Sequence, residues 1–156
     1  MDRNGRIIMN AIDYPERKTL DDKEMFDDVV RAILSVMGDD AVKIILYGSV
    51  ARGDNTWESD VDIAVLTAGK YSDVEDVERE RKKLWEAVDP LNLKYGTLFS
   101  VITIDAKHYE EWLFDLPFYY NIDEEGIILW TRENGRICLN TALSAQKKNL
   151  TLQNSY

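Results

Sequence analysis

Ile44–Leu66, IILYGSVARGDNTWESDVDIAVL, is the stretch on which the fold turns. Ile44 to Tyr47 is an apolar run of strand length that stops at Gly48, where a residue without a Cβ lets the backbone turn sharply. Gly48-Ser49 is therefore expected to be a turn with a polar tip. Val50, Ala51 and Arg52 supply the first turn of a helix whose leading N–H groups, with the Ser49 hydroxyl, suit an anionic group such as a phosphate. Arg52 falls close by. After Gly53 a polar loop, Asp54 to Glu58, leads into SDVDIAVL, where the period is two. Asp60, Asp62 and Ala64 fall on one strand face and Val61, Ile63 and Val65 on the other, so the two carboxylates project side by side, about 7 Å apart along the backbone. Held there, they repel, and one stays protonated unless a cation neutralises the pair. Mg²⁺ is the natural occupant, because it takes one or two protein carboxylates and completes its shell with water and substrate phosphates.

Neither half of the pattern is specific alone, since Gly-Ser turns are common and Asp-x-Asp on an edge strand is usually a solvated face. Together, with strand patterning on both sides and eleven residues from Ser49 to Asp60, they carry a context that makes the motif informative. The stretch resembles the nucleotidyltransferase superfamily of DNA polymerase beta, whose signature is Gly-Ser, a variable spacer and Asp-x-Asp. GSVARG followed by SDVDIAVL is similar in particular to the minimal nucleotidyltransferase (MNT) branch. The fold expected is α+β, a small mixed sheet with helices packed mainly on one face, of the polymerase-beta-like kind. The resemblance implies transfer of a nucleoside monophosphate, AMP from ATP, to an acceptor hydroxyl, with Mg²⁺ as cofactor. Gly48, Ser49, Arg52 and Ser59 would then bind the nucleotide, and Asp60 and Asp62 would be the catalytic metal ligands. For the MNT branch it further implies a protein acceptor, a tyrosine of a helical HEPN toxin, with the MNT protein as antitoxin.

Two rival readings stand beside this one. The chain would act as a catalytically weak or inactive module that neutralises a partner by contact, or as a small-molecule transferase of the aminoglycoside type, whose cationic substrates an acidic surface attracts. What bears on activity is a third carboxylate, which active members of the wider superfamily place on a neighbouring strand. That strand should be Leu98–Ile104, where the expected position holds Ser100; Asp105 is the nearest acid, but it has the opposite side-chain parity and suits the N-cap of the next helix.

The chain has 156 residues, one domain by length, with 45% hydrophobic residues and a formal net charge of −10. Such a charge disfavours long RNA or DNA, whose affinity comes mainly from Lys and Arg at phosphates. One cysteine, Cys138, excludes an intramolecular disulfide, and the single histidine, His108, excludes a histidine metal cluster. No secretory signal or membrane-length apolar run is seen, so a cytoplasmic location without a membrane partner is expected; a homo-oligomer stays open.

Residues 1–20 read as an N-terminal arm, 21–130 as the transferase domain and 131–156 as an extension, helical or mobile. A first helix should start at Asp21, capped by Asp21 with Glu24, bury Met25/Phe26, Val29/Val30, Ile33/Leu34 and Met37, and stop at Gly38. A second should start with the Ser72/Glu75 capping box, bury Val74, Val77, Leu84, Trp85 and Val88, and end at Asp89-Pro90. LFSVITI, Leu98 to Ile104, reads as a strand buried within the sheet and beside the Asp60 strand. A short helix follows from Ala106 to Phe114, then an aromatic cluster, Phe118, Tyr119, Tyr120 and Ile122. Ile127 to Trp130 is a strand or an extended packing arm. Trp57, in the polar loop, either pins that loop or stacks on a base.

Overall fold

The computed structural model describes residues 23–133. The apolar stripe after Lys23 forms α1 (Lys23–Met37), with Phe26, Val29, Val30 and Ile33 fully buried. Gly38, at φ +50°, ends it through a single 3-10 turn, as its lack of a Cβ anticipates. Asp21, the expected cap, lies outside the described residues, as do the N-terminal arm and Cys138.

Four strands follow from the patterning: β1 (Ala41–Tyr47), β2 (Val61–Thr67), β3 (Phe99–Asp105) and β4 (Ile127–Thr131), in the order β3-β2-β1-β4. β1 pairs antiparallel with both β2 and β4, whereas β2 and β3 are parallel, so the sheet is mixed as expected. The parallel pair is joined by the long helix α3 (Val74–Tyr95). α1 and α3 cover one face, where Val61, Ile63 and Val65 of β2 meet Phe26, Val30, Leu84 and Val88. The other face carries two short helices, α4 (Ala106–Glu111) and α5 (Pro117–Glu125), packed through Tyr109 and Ile122 against Ile45, Ala64 and Leu66.

Four expectations are corrected. α3 starts one residue later than the Ser72 box, with Asp73 accepting from the Glu75 N–H at 2.8 Å. It also runs through Pro90 to Tyr95, with Gly96 as its C-cap. A helix-interior proline removes one hydrogen bond, and here later contacts outweigh that loss. Leu91 and Tyr95 pack on the core, while Lys94 and Tyr95 donate to Asp28 of α1 at 2.8 and 2.5 Å. Within α3, Leu84 and Val88 are buried as expected, but Val74 and Trp85 are 75% and 71% exposed.

The fourth correction concerns β3, which lies at the sheet edge and is only half-buried from Ser100 to Thr103. A strand covered by helices on both faces reads as continuously apolar whether or not both of its edges are paired. The run 117–125 folds as a helix that the sequence did not announce. Pro117 is at its N1/N2 position, where its missing N–H costs nothing. Ile122 points into the core, while Phe118 and Tyr120 remain exposed. Ile127 to Trp130 proves to be strand. β4 extends to Thr131, and the Arg132 guanidinium reaches back to the carbonyls of Ala41 and Asp39. Among the described residues no helix is long and apolar enough to cross a membrane.

Candidate active site

The turn between β1 and β2 forms as the sequence requires. Gly48 takes φ +75° and opens a one-turn helix, α2 (Gly48–Arg52), which Gly53 closes at φ +80°. No side chain caps the start of α2, and the Gly53 and Asp54 N–H groups return to the Ser49 carbonyl at 2.9 and 3.2 Å. The loop beyond is held by Ser59, whose hydroxyl accepts from the Thr56 N–H at 2.9 Å while its own N–H donates to the Thr56 carbonyl at 3.1 Å. Ser59 thus shapes the loop that delivers Asp60. Trp57 is 43% exposed in this loop, and Asn55 is buried at 4%.

Asp60 sits just before β2 and is exposed; Asp62, the second residue of the strand, is half-buried. The Asp62 carboxylate presses on the turn so closely that a Cβ at Gly48 would stand 2.5 Å from Asp62 Oδ2. On one side Asp62 pairs with Tyr47 of β1 and on the other with Ser100 of β3. Its carboxyl is held above the ordinary carboxylate range chiefly by burial and then by the charge of Asp60. Arg52 and a hydrogen bond from Ser100 pull the other way. That balance describes a pair of carboxylates short of positive charge, which fits a divalent cation. Among the described residues no third Asp, Glu, His or Cys joins them to complete a cluster.

Of the residues anticipated for the site, Gly48, Ser49, Asp60, Asp62 and Ser100 converge at one end of the sheet. Asp105 does not. It pairs with Thr67 at the opposite end of β2, packs its carboxylate against Gly69, and caps α4 by accepting from the His108 N–H at 2.9 Å. Arg52 is near enough for its charge to act on Asp62, but its guanidinium is tied to Asp54 at 3.2 Å and to Glu125 at 3.1 Å. Two participants went unnoticed in the sequence. Tyr47, half-buried beside Asp62, has its phenol pushed up by burial and by the Asp62 charge, and it meets Phe118 edge-on with centroids 5.7 Å apart. Its place before Gly48 was the available signal. Glu125 is brought in by α5 across the fold, and no local pattern could have indicated it.

A glycine turn abutting a strand carboxylate, with a second carboxylate just before the strand, on a mixed sheet packed with helices, suits the chemistry of nucleotide transfer. The chain belongs to the nucleotidyltransferase domain family, whose model matches residues 28–125. It is accordingly an enzyme of that class. A protein of Methanocaldococcus jannaschii provisionally named a protein adenylyltransferase is 30% identical over 111 residues, covering 71% of this chain and all of the relative. Among solved structures, a provisionally assigned nucleotidyltransferase from Sulfolobus solfataricus matches 74% of this chain and 85% of its own at 18% identity and a TM-score of 0.49. A variant of the toxin-antitoxin pair MntA-HpeT matches 83% of this chain and 93% of its own at 16% identity and a TM-score of 0.45.

Proposed function

We propose that this enzyme transfers AMP from ATP to a hydroxyl of a protein acceptor, using the Gly48-Ser49 turn for the triphosphate and Asp60 with Asp62 for Mg²⁺. The observation that carries the reading is the contact of the Asp62 carboxylate with Gly48, which supports one carboxylate of the pair acting at the start of the turn. The protein-adenylyltransferase name of the curated relative and the MNT resemblance support the choice of nucleotide and acceptor. A bound divalent cation would offset charge on the phosphates as pyrophosphate departs. The α2 amides and the Ser49 hydroxyl orient the triphosphate. The acceptor oxygen then bonds to the α-phosphorus, the bond to the bridging oxygen breaks, and the hydroxyl proton leaves to water. The resemblance names a tyrosine of a helical HEPN-type protein as acceptor, with this chain as its antitoxin.

Incubation with α-labelled ATP, Mg²⁺ and any co-purifying chain, followed by mass spectrometry, tests the reading. An adenylyl group on a partner hydroxyl is the expected result, and its absence from every chain present would overturn it. One observation favours neutralisation by contact as a second reading. The neighbouring-strand position beside Asp62 holds the neutral Ser100, so a third acid to deprotonate the acceptor is missing there. Partner inhibition that persists in the Asp60→Asn/Asp62→Asn variant would select it.

A further inference from the structure

The strand that brings Ser100 beside Asp62 has a second feature: the outer edge of β3 has no backbone partner among the described residues. Natural sheets protect such edges with Lys, Pro, bulges or short strands. β3 has none of these. FSVITID keeps an uninterrupted ladder to β2 from Val61↔Phe99 to Thr67↔Asp105, and its only charged residue is the last. The opposite edge differs, since β4 has five residues and its ladder to β1 is irregular between Ile44 and Ile45. Along β3 runs a groove of about 980 Å³, walled by α3 on one side and the strand on the other. Two of its apolar residues stand out of the core, Trp85 at 71% exposed and Leu98 at 53%.

One pair of charges along this groove, Arg81 and Asp89, matches its own reverse, while Lys82 and Glu86 fall opposite Val88 and Leu84. Arg81, Trp85 and Asp89 line it and recur every four residues, so they form one stripe of α3. A two-fold axis that brings Trp85 beside its own copy sets residue 85 + n of one helix against 85 − n of the other. Arg81 of each copy then faces Asp89 of the next, twice per interface. That pair is self-complementary in the sense that a symmetric dimer demands. The parallel β2-α3-β3 unit lays α3 antiparallel to β3, so the same axis sets two β3 edges antiparallel and joins two four-stranded sheets into one.

We propose that the β3 edge and the Trp85 stripe of α3 are the interface of a two-fold symmetric dimer of this chain. The occupant of the groove is a second copy, and the interface makes no use of the Gly48 turn or of Asp60. The proposal is independent of the acceptor assigned above.

The test is a charge swap in the full-length protein, read by sedimentation velocity over a micromolar concentration series, with circular-dichroism melting as the control for folding. The unaltered chain should sediment as a dimer. Arg81→Asp and Asp89→Arg each place like charges together and should weaken the dimer about tenfold or more, whereas the double variant Arg81→Asp/Asp89→Arg should recover it. Recovery separates the interface from loss of the Arg81–Glu78 ion pair at 2.8 Å within α3, which the double variant also lacks. A monomer at every concentration overturns the proposal, and hydrogen exchange then names the alternative. Protected β3 amides would mean that residues outside 23–133 cover the edge, and unprotected ones that the groove serves a different partner. A dimer indifferent to the single swaps, or not restored by the double, overturns it equally.

Discussion

The backbone of Gly48 and the carboxylate of Asp62 occupy the same corner: a methyl group at position 48 would stand 2.5 Å from Asp62 Oδ2. Gly48 also has φ +75°, which L side chains rarely adopt. Gly48→Ala should therefore lose about 1–3 kcal/mol of stability and also drive the Asp62 carboxylate off the turn. Urea unfolding and calorimetry with ATP check the two effects together. Nucleotide affinity should fall by more than the population of folded protein does.

Asp62 and Asp60 should separate under neutralisation. The Asp62 carboxyl is raised in the folded state by burial and by Asp60, so the folded protein holds a proton there more tightly than the unfolded chain. Stability on this account is greatest at low pH and declines as pH rises from the ordinary carboxylate value through the raised one. Asp62→Asn removes that slope and should be at least as stable as the native protein near neutrality, while nucleotidyl transfer is lost. Melting temperatures across an acid-to-neutral series decide it; a variant much less stable than the parent at pH 7 contradicts the burial argument.

Asp28 carries the opposite sign. Hydrogen bonds from Lys94 and then Tyr95 hold its carboxyl below the ordinary value of 3.8. Its contribution is therefore complete above that value and fades as pH falls through the lowered one. Asp28→Asn should cost about 1 kcal/mol at pH 7, a moderate figure because the partners are solvated. The gap to the parent should close in acid, as chemical denaturation at pH 7 and pH 2.5 would reveal.

Ser100 pairs directly with Asp62, whereas Asp105 pairs with Thr67 at the far end of the strand. Ser100→Asp should place a third carboxylate at the site, raise Mg²⁺ affinity and leave nucleotide binding intact. Asp105→Asn should leave transfer unchanged, with at most a few tenths of a kcal/mol lost, because Asn caps a helix nearly as well as Asp. Steady-state transfer rates with a Mg²⁺ titration measure both. A large loss of activity in Asp105→Asn with folding intact would instead make Asp105 the third acid.

The legible parts of this molecule are those whose physics is local. The Gly48 turn, the two-residue period from Val61 to Val65 and the Asp105 cap each depend on a few neighbours, and each stands where the sequence puts it. Trp85 misled because helical spacing gives the apolar stripe but not its width. Leu84 and Val88 satisfy the core, and Trp85, one position around, faces the groove. Pro90 misled because the contacts that carry α3 past it, on Asp28, come from a different helix. The same holds for Glu125, whose pairing with Arg52 exists only once α5 has docked. Edge or interior status of β3 was not decidable from its composition, since faces and edges of a strand are covered by different elements.

The strand order also divides the sheet into a part that is local in the chain and a part that is not. β1 has two neighbours, and β2 is the one that follows it within a single connection, so the corner holding Gly48 and Asp62 needs no residue beyond β2. The other flank of β1 waits for β4, the last strand of the sheet to be made. Without β4, one flank of β1 is an unpaired strand edge, the kind of surface that invites pairing with other chains.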